Sequence, residues 1–204
     1  MLKRRFSFVP WMTVLALFVG GSLSSPVAYA QTVDEAKAKV DKMPEDPARH
    51  YNLGVIYFKN SKYNESIASF QEAVKLQEDY KEAFYNMGLA QQKINQHSPA
   101  IKSLKAATEL DGTYADAFAA LGNSYRKKGQ NTAAARAYSS ALKIVSNKAD
   151  WHYNLGIVYQ TQQNYEKALS AYKDYMKHES RKSSKRYKQI VELSKTIEEH
   201  YLTD

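Results

Sequence analysis

The sequence predicts an all-α protein, a right-handed α-solenoid of four helix-turn-helix units with a C-terminal capping helix. The segment 51–54, Tyr-Asn-Leu-Gly, returns in related form at 85–88, 119–122 and 153–156, so that the interval between successive copies is constant. A constant period of this length is typical of repeat proteins, in which each unit buries its apolar face only against its neighbours. Within each period, apolar residues follow a helical spacing in two separate runs.

Residues 1–30 have the three-part composition of a secretory signal peptide. A basic start precedes an apolar run over 9–19, and Ala28 and Ala30 fit a small-residue cleavage site. That run is shorter than the roughly 20 apolar residues needed to span a bilayer. We therefore expect cleavage after Ala30 and a periplasmic or secreted protein. The general secretory route is favoured over twin-arginine export, because a twin-arginine signal resembles one with Phe two places after the second Arg, and Ser7 stands there.

Charge and cysteine content narrow the classes of partner and chemistry. The full chain has a net charge of +8, and removing the three basic residues of the signal leaves 26 basic against 21 acidic residues, or +5. This mild excess favours an acidic partner and is no nucleic-acid signature. The absence of cysteine excludes disulfides, thiolate nucleophiles and lipidation of a cysteine.

The mature chain is expected to begin with a leading helix or linker in 31–46. Val33, Ala36, Val40 and Met43 have helical spacing there, and Pro44 ends the run. Each repeat unit then contributes a first helix, a short polar turn and a second helix. The predicted segments are unit one at 47–80, unit two at 81–114, unit three at 115–148, unit four at 149–182 and the capping helix at 183–204.

The start of each second helix is predicted from residues that cap helices. Asn64, Ser98 and Thr132 share the eighteenth position of their units, and their side-chain oxygens suit a helix N-cap. Pro99 directly after Ser98 is tolerated in a first helical turn. The sequence therefore predicts that these second helices begin just after the three polar residues.

Small residues recur at two positions of every unit and predict close packing of its two helices. The eighth position is always glycine, although glycine inside a helix costs about 1 kcal/mol relative to alanine. The twentieth position is serine or alanine, and larger residues occupy the seventh and twenty-fourth positions. The residues in question are Gly54, Gly88, Gly122 and Gly156 at the eighth position, Ser66, Ala100, Ala134 and Ala168 at the twentieth, and Phe70, Leu104, Tyr138 and Tyr172 at the twenty-fourth.

Taken together, these positions resemble the tetratricopeptide repeat, a helix-turn-helix unit of about 34 residues. The resemblance covers residues 47 to about 180, with His50 and His152 at a usually aromatic position, Gln91 in place of Tyr and Tyr175 in place of Ala. It implies a non-enzymatic scaffold for protein–protein interaction whose inner groove is lined by the first helices.

The groove that the resemblance implies is expected to bind a peptide segment of a partner protein. Its residues would offer aromatic faces, amides and aliphatic floors. The alternative is that the tyrosines pack between first helices and the asparagines only bond the backbone. The predicted groove residues are Tyr51, Asn52, Val55, Tyr85, Asn86, Leu89, Asn123, Tyr153, Asn154 and Ile157. The clamp by which some family members hold the terminal carboxylate of heat-shock chaperones is absent, because only its central Asn is kept. Tyr51 and Val55 replace its first Lys and Asn, and Asp116 and Ala120 replace its last Lys and Arg.

Two basic features are further candidates for partner contact. One is a predicted basic groove edge that would contact an acidic partner, formed by Lys59, Lys93, Arg126 and Lys127. The alternative is that the lysines only complement the dipoles of their helices. The junction from Lys177 to Arg186 would touch anionic lipid or an acidic protein, or be a solvated linker. Contact with a membrane is expected only through this junction or through an uncleaved signal.

The sequence predicts no catalytic residue, cofactor or metal. It holds no zinc-protease, phosphate-loop or serine-hydrolase motif. His50 and His152 lie three units apart, too far for one metal ion at about 10 Å per helix layer. The leading hypothesis is an exported adaptor of the cell envelope. The alternative is a periplasmic binder of a small ligand or glycan, stacked on Tyr51, Tyr85 and Tyr153.

Overall fold

A computed structural model describes residues 26–202 and contains ten α-helices and no β-strand over that range. The predicted all-α class is therefore confirmed. Residues 1–25 of the predicted signal peptide lie outside the described part of the chain. The helices are α1 (Pro26–Lys42), α2 (Pro47–Lys59), α3 (Tyr63–Leu76), α4 (Lys81–Lys93), α5 (His97–Leu110), α6 (Ala115–Lys127), α7 (Asn131–Ile144), α8 (Ala149–Thr161), α9 (Tyr165–His178) and α10 (Lys185–Tyr201). None of these helices is long and apolar enough to cross a membrane.

The helices pack in chain order, which confirms the solenoid. In each unit the first helix (α2, α4, α6 or α8) packs against the second helix (α3, α5, α7 or α9), and each second helix packs against the next first helix. The first helices also contact one another, whereas among residues 26–202 the second helices do not. The array must therefore curve with its first helices inside. We call the inner face of α2, α4, α6 and α8 the concave surface.

The predicted close approach of the two helices in each unit is confirmed. A Cβ atom added to Gly88 would lie 2.6 Å from Cγ of Leu104, and one added to Gly156 would overlap the ring of Tyr172 more closely still. The corresponding distances at Gly54 and Gly122 are 2.7 and 3.0 Å. The small residues at the twentieth position are fully buried. The large side chain at the twenty-fourth position thus lies directly on the glycine of the same unit.

The turn inside every unit uses the same backbone geometry. Its fifteenth residue is left-handed, and only Gly129 adopts that region without steric cost. The other three are Ser61, Asn95 and Gln163, with φ between 58° and 60°. The N–H of the sixteenth residue then donates to the carbonyl oxygen of the eleventh, as Lys62 does to Tyr57 at 2.9 Å. These bonds satisfy carbonyl groups at the end of the first helix.

The predicted N-caps at Asn64, Ser98 and Thr132 are wrong. The second helices begin one residue before each of them, so the three side chains lie within the first helical turn. The residues at the N-cap are Lys62, Gln96 and Gln130, and none of them makes a side-chain cap. Backbone hydrogen bonds in the turn therefore determine where the second helix starts. Among the four second helices, only α9 has a side-chain cap, in which Asn164 accepts a hydrogen bond from the N–H of Lys167.

Both ends of the array are covered by an extra helix. Helix α1 packs on α2 through Val33 and Ala36, and it begins at Pro26, earlier than the leading segment predicted at 31–46. Helix α10 packs on α9 and buries Ile190 and Ile197. Ring stacking of Tyr201 on Tyr165, with centroids 4.0 Å apart, holds its last turn.

The two histidines at the fourth position of their units have a structural role. Nε2 of His50 lies 2.7 Å from the carbonyl oxygen of Pro44, and Nε2 of His152 lies 2.7 Å from that of Ser146. A carbonyl oxygen only accepts hydrogen bonds, so Nε2 is the protonated nitrogen in both rings. Each histidine therefore ties its first helix to the turn that precedes it.

Gly156→Ala is expected to destabilise the protein despite the higher helix propensity of alanine. The new methyl group would overlap the buried ring of Tyr172, and overpacking of this kind typically costs about 1–3 kcal/mol against a propensity gain of about 1 kcal/mol. Urea unfolding followed by helical circular dichroism measures the difference. Gly112→Ala is the matched control, because no atom lies within 4 Å of the added Cβ there. Equal midpoints for the two variants would contradict the packing argument.

Candidate functional site

The tyrosines of the concave surface form pairs. In units one and two, the tyrosine at the fifth position packs against the tyrosine at the end of the same unit. Tyr51 stacks on Tyr80 with ring centroids 5.0 Å apart, and Tyr85 packs on Tyr114 at 4.9 Å. We call Tyr51, Tyr80, Tyr85 and Tyr114 the tyrosine cluster. All four rings are half-buried, so each keeps part of its surface open to the groove.

Unit four uses its tyrosine differently. The ring of Tyr153 packs on Tyr175 at 5.6 Å, and the guanidinium carbon of Arg186 lies 4.8 Å from the centroid of Tyr153. Arg186 comes from the first turn of α10 and also pairs with the carboxylate of Asp150 on α8. In unit three the fifth and sixth positions are Ala119 and Ala120, which are only 3% and 5% exposed. The line of tyrosines is therefore interrupted at unit three.

The predicted groove asparagines divide into two groups. Nδ2 of Asn86 donates to the hydroxyl of Tyr51 at 3.0 Å and to the carbonyl of Glu82, and Oδ1 of Asn123 accepts from the hydroxyl of Tyr138 at 2.6 Å. These two amides are used inside the array. The side-chain amides of Asn52 and Asn154 make no hydrogen bond to any residue in 26–202 and remain available.

The aliphatic groove residues are half-buried and belong to the packing between helices. Val55 packs against the cluster around Phe70, Leu89 against the cluster around Leu104, and Ile157 against the cluster around Tyr172. Part of the predicted set therefore supports the fold, as the packing alternative expected. What remains open to a partner is the exposed part of these side chains together with the two free amides.

A cavity of about 530 Å³ lies at the first-unit end of the concave surface, between α1 and α2. Asn52, Val55 and Lys59 line its α2 side, and Glu35 and Lys39 line its α1 side. Later first helices contact a preceding first helix at this face, whereas α2 has none before it. The cavity therefore occupies the place where a preceding first helix would contact α2.

Charges on the concave surface are arranged in two rows. The predicted basic edge includes Lys59, Lys93 and Lys127, which share the thirteenth position of their units and are all exposed. Arg126 beside them is half-buried next to Tyr138, where it partly offsets the rise in tyrosine pKa caused by burial. The second position carries the opposite charge, with Glu82, Asp116 and Asp150. Eleven residues at 1.5 Å each separate the rows by about 16 Å.

This acidic row is the part of the site that the sequence analysis missed. The signal was available, because stepping by one repeat period from Glu82 reaches Asp116, and a second step reaches Asp150. Its effect is visible in the tyrosine cluster. Burial is the largest cause of the raised pKa of the Tyr114 hydroxyl, and a smaller rise comes from Tyr85, Glu82, Tyr51 and Asp116. Burial and Asp116 likewise raise the pKa of Tyr85. Glu82 and Asp116 therefore contribute negative electrostatic potential to the concave surface beside the tyrosine cluster.

The basic junction from Lys177 to Arg186 is partly tied to the fold. Arg181 pairs with the buried carboxylate of Glu179, and Arg186 is held by Asp150. Lys177, Lys182 and Lys185 remain exposed. Among residues 26–202, no group of three or more His, Cys, Asp or Glu side chains is arranged to hold a metal ion.

Comparison with known proteins gives matches of sequence and of structure. A family profile described as TPR repeat matches residues 56–95 and 122–163, and a second, described as tetratricopeptide repeat, matches residues 81–114. No significant match was found among curated protein sequences.

Several solved structures share the fold. The crystal structure of MamA matches with a TM-score of 0.72 and 25% identity, over 76% of this chain and 91% of MamA. YrrB, described as a TPR protein with an unusual peptide-binding site, matches with a TM-score of 0.70 and 21% identity, over 85% of this chain and 87% of YrrB. The first TPR of Spaghetti (RPAP3), bound to an HSP90 peptide, matches with a TM-score of 0.57 and 19% identity, over 58% and 94% of the two chains.

The stacked helical hairpins and their inner groove define an α-solenoid of the protein-interaction class. With the matching repeats, the chain belongs to the tetratricopeptide-repeat family. Proteins of this family mediate protein–protein interaction, and the fold is generally a non-enzymatic scaffold.

Asp111 is expected to give the protein a specific sensitivity to acid. Its carboxylate accepts from Nζ of Lys81 at 2.7 Å and from the N–H and hydroxyl of Thr113, and these bonds lower its pKa from 3.8 to about 2. Because the folded-state pKa is depressed, its stabilising effect is complete above the ordinary pKa and is lost as pH falls toward 2. Urea midpoints measured from pH 5 to about 2 should fall less for Asp111→Asn than for the wild type.

The matched control is Asp41→Asn, because Asp41 is exposed and has no ion pair within 26–202. This variant should follow the wild-type pH profile. A carboxyl titration of Asp111 by NMR that centres near 3.8 would contradict the assignment.

Proposed function

We propose that the protein is an exported, non-enzymatic adaptor of the bacterial cell envelope that binds a peptide segment of a partner protein on its concave surface. The observation that carries the proposal is the free hydrogen-bonding capacity of Asn52 and Asn154. Each amide stands at the same repeat position, beside a half-buried aliphatic residue, Val55 or Ile157. Amides that both donate and accept beside apolar surface suit the backbone and side chains of a peptide.

The fold-level comparisons agree with this kind of ligand. YrrB is described with a peptide-binding site, and the RPAP3 domain is bound to an HSP90 peptide. Their identities of 21% and 19% make this a likeness of fold. All residues of the carboxylate clamp except its central Asn are replaced here, by Tyr51, Val55, Asp116 and Ala120. We therefore propose a partner segment of different chemistry from a chaperone terminus.

The small-ligand or glycan alternative gains no support from the tyrosines. It requires open aromatic faces for stacking, and the rings of Tyr51, Tyr85 and Tyr153 each pack against another ring or against Arg186. The peptide-binding proposal does not depend on those faces, because its polar contacts come from the asparagines.

Export is supported by the place where helix α1 makes its contacts. Val33, Ala36 and Val40 pack α1 on α2, and all three lie beyond the proposed cleavage point after Ala30. Removal of residues 1–30 would therefore leave these three contacts in place. The part of α1 that remains, from Gln31 to Lys42, would still form roughly three helical turns.

Site-specific photo-cross-linking tests the adaptor function. A photoreactive residue in place of Asn52 or Asn154 is expected to cross-link to a defined partner protein in native envelopes, whereas one in place of the exposed Gln71 on α3 is not. The double variant Asn52→Arg/Asn154→Arg should abolish co-purification of the same partner, because two bulky cations then occupy the groove. Gln71→Arg/Ser170→Arg, with both changes on exposed positions of second helices, is the matched control. Equal cross-linking from Gln71 would contradict groove binding.

Cell fractionation with N-terminal sequencing tests export. The protein is expected in the periplasmic or secreted fraction with Gln31 as its first residue. Ala30→Leu should slow processing, because a large residue no longer fits the small-residue cleavage site. A cytoplasmic protein that retains Met1 would contradict export while leaving the groove proposal to the cross-linking experiment.

A further inference from the structure

We infer that the acidic row of the concave surface binds an arginine or lysine side chain of the partner segment beside Asp116, next to Glu82 and Tyr114. This inference rests on the proposed function, because it names the chemistry of a segment lying in the same groove. Its evidence is a contact that the chain makes with itself in unit four, and the carboxylate of Asp116, which has no ion pair within 26–202 and acts on the tyrosines of unit two.

The contact in unit four shows what the acidic row and the tyrosines bind together. Arg186 pairs with the carboxylate of Asp150 while its guanidinium lies 4.8 Å from the ring centroid of Tyr153. Asp150 is at the second position of its unit and Tyr153 at the fifth. A cation over an aromatic face and beside a carboxylate gains from both. The C-terminal helix thus supplies an arginine to an acid and a tyrosine of the concave surface.

Unit two holds the same residue types, whereas unit three holds the acid at its second position with Ala119 in place of the tyrosine. Glu82 and Tyr85 occupy the second and fifth positions of unit two, and Asp116 follows at the second position of unit three. Asp116 has no ion pair within 26–202. The nearest cation to Glu82 is Lys81, whose Nζ lies 4.0 Å from Glu82 but 2.7 Å from Asp111. Asp116 is therefore the carboxylate without an ion pair, and Glu82 has only the longer of the two contacts of Lys81.

Two aromatic rings add to the negative potential of the carboxylates of Glu82 and Asp116. Tyr85 and Tyr114 pack together at 4.9 Å, and both carboxylates are close enough to raise the pKa of the Tyr114 hydroxyl. Lys81 lies over one side of Tyr114, with Nζ 5.9 Å from the ring centroid. The faces of these rings add negative potential to that of the carboxylates.

There is room for a side chain beside Asp116. A cavity of about 550 Å³ lies between Asp116 and Asp150, and this volume is within the range of ligand pockets. Two cations also line this cavity: Lys148 lies over the ring of Trp151, and Arg181 pairs with Glu179. Neither makes an ion pair with Asp116, so a basic side chain entering from the groove would meet a carboxylate without a partner.

The test uses random peptides displayed on phage and selected against the purified protein. Peptides that bind the wild type but not Asn52→Arg/Asn154→Arg are groove ligands, and we expect them to contain arginine or lysine. Replacing that arginine with citrulline, its neutral isostere, or that lysine with norleucine should weaken binding about tenfold, as loss of a charge-assisted contact does. Glu82→Gln/Asp116→Asn should weaken the charged peptide by a similar factor and leave the neutral peptide unchanged.

Glu72→Gln/Glu109→Gln is the matched control, because it removes the same charge from exposed positions on second helices. It should leave both affinities unchanged. Groove ligands that lack basic residues, or a neutral peptide equally weakened by Glu82→Gln/Asp116→Asn, would overturn the inference while the proposed function stands. Selection that gives no groove ligand would contradict the proposed function, and the inference with it.

Discussion

The contact between a glycine and a large side chain inside each unit is the constraint on which the rest of the structure depends. Tyr172 over Gly156 brings the two helices of unit four to a fixed separation, and Phe70, Leu104 and Tyr138 do the same in the other units. A close-packed contact of this kind leaves little freedom for the hairpin to change shape. Because every hairpin is nearly identical, their stacking gives a regular curve with the first helices inside.

Much of the fold could be predicted because the information is periodic. A glycine that returns at the same position of every unit, as Gly54 and Gly88 do, marks both the repeat and the face that needs a small residue. The starts of the second helices were not predictable from capping preference alone. Asn64 and Ser98 have suitable side chains, but backbone hydrogen bonds in the turn start the helix before them. Left-handed Ser61 and Gln163 carry no sequence signal, whereas Gly129 does.

The candidate site was predicted less completely, because repeat position identifies which residues face inward and not which partners they have. Asn52 and Asn86 share a position, yet only Asn86 meets the hydroxyl of Tyr51, since α2 has no preceding first helix whose tyrosine would meet Asn52. Tyr80 and Tyr114 were absent from the predicted groove because they follow the second helices in the sequence. Each directly precedes the next first helix and packs on the tyrosine at the fifth position of its own unit, a contact between the two ends of one repeat that spacing alone does not show.

The two ends of the array differ in a way that gives the groove a direction. At one end α10 reaches across to α8, and the side chain of Arg186 covers Tyr153. At the other end, α2 borders an open cavity between itself and α1. A segment running along the first helices would meet the side chain of Arg186 at one end and the cavity between α1 and α2 at the other. The two ends of the concave surface therefore offer a bound segment different neighbours, so the two directions in which a long ligand could lie are not equivalent.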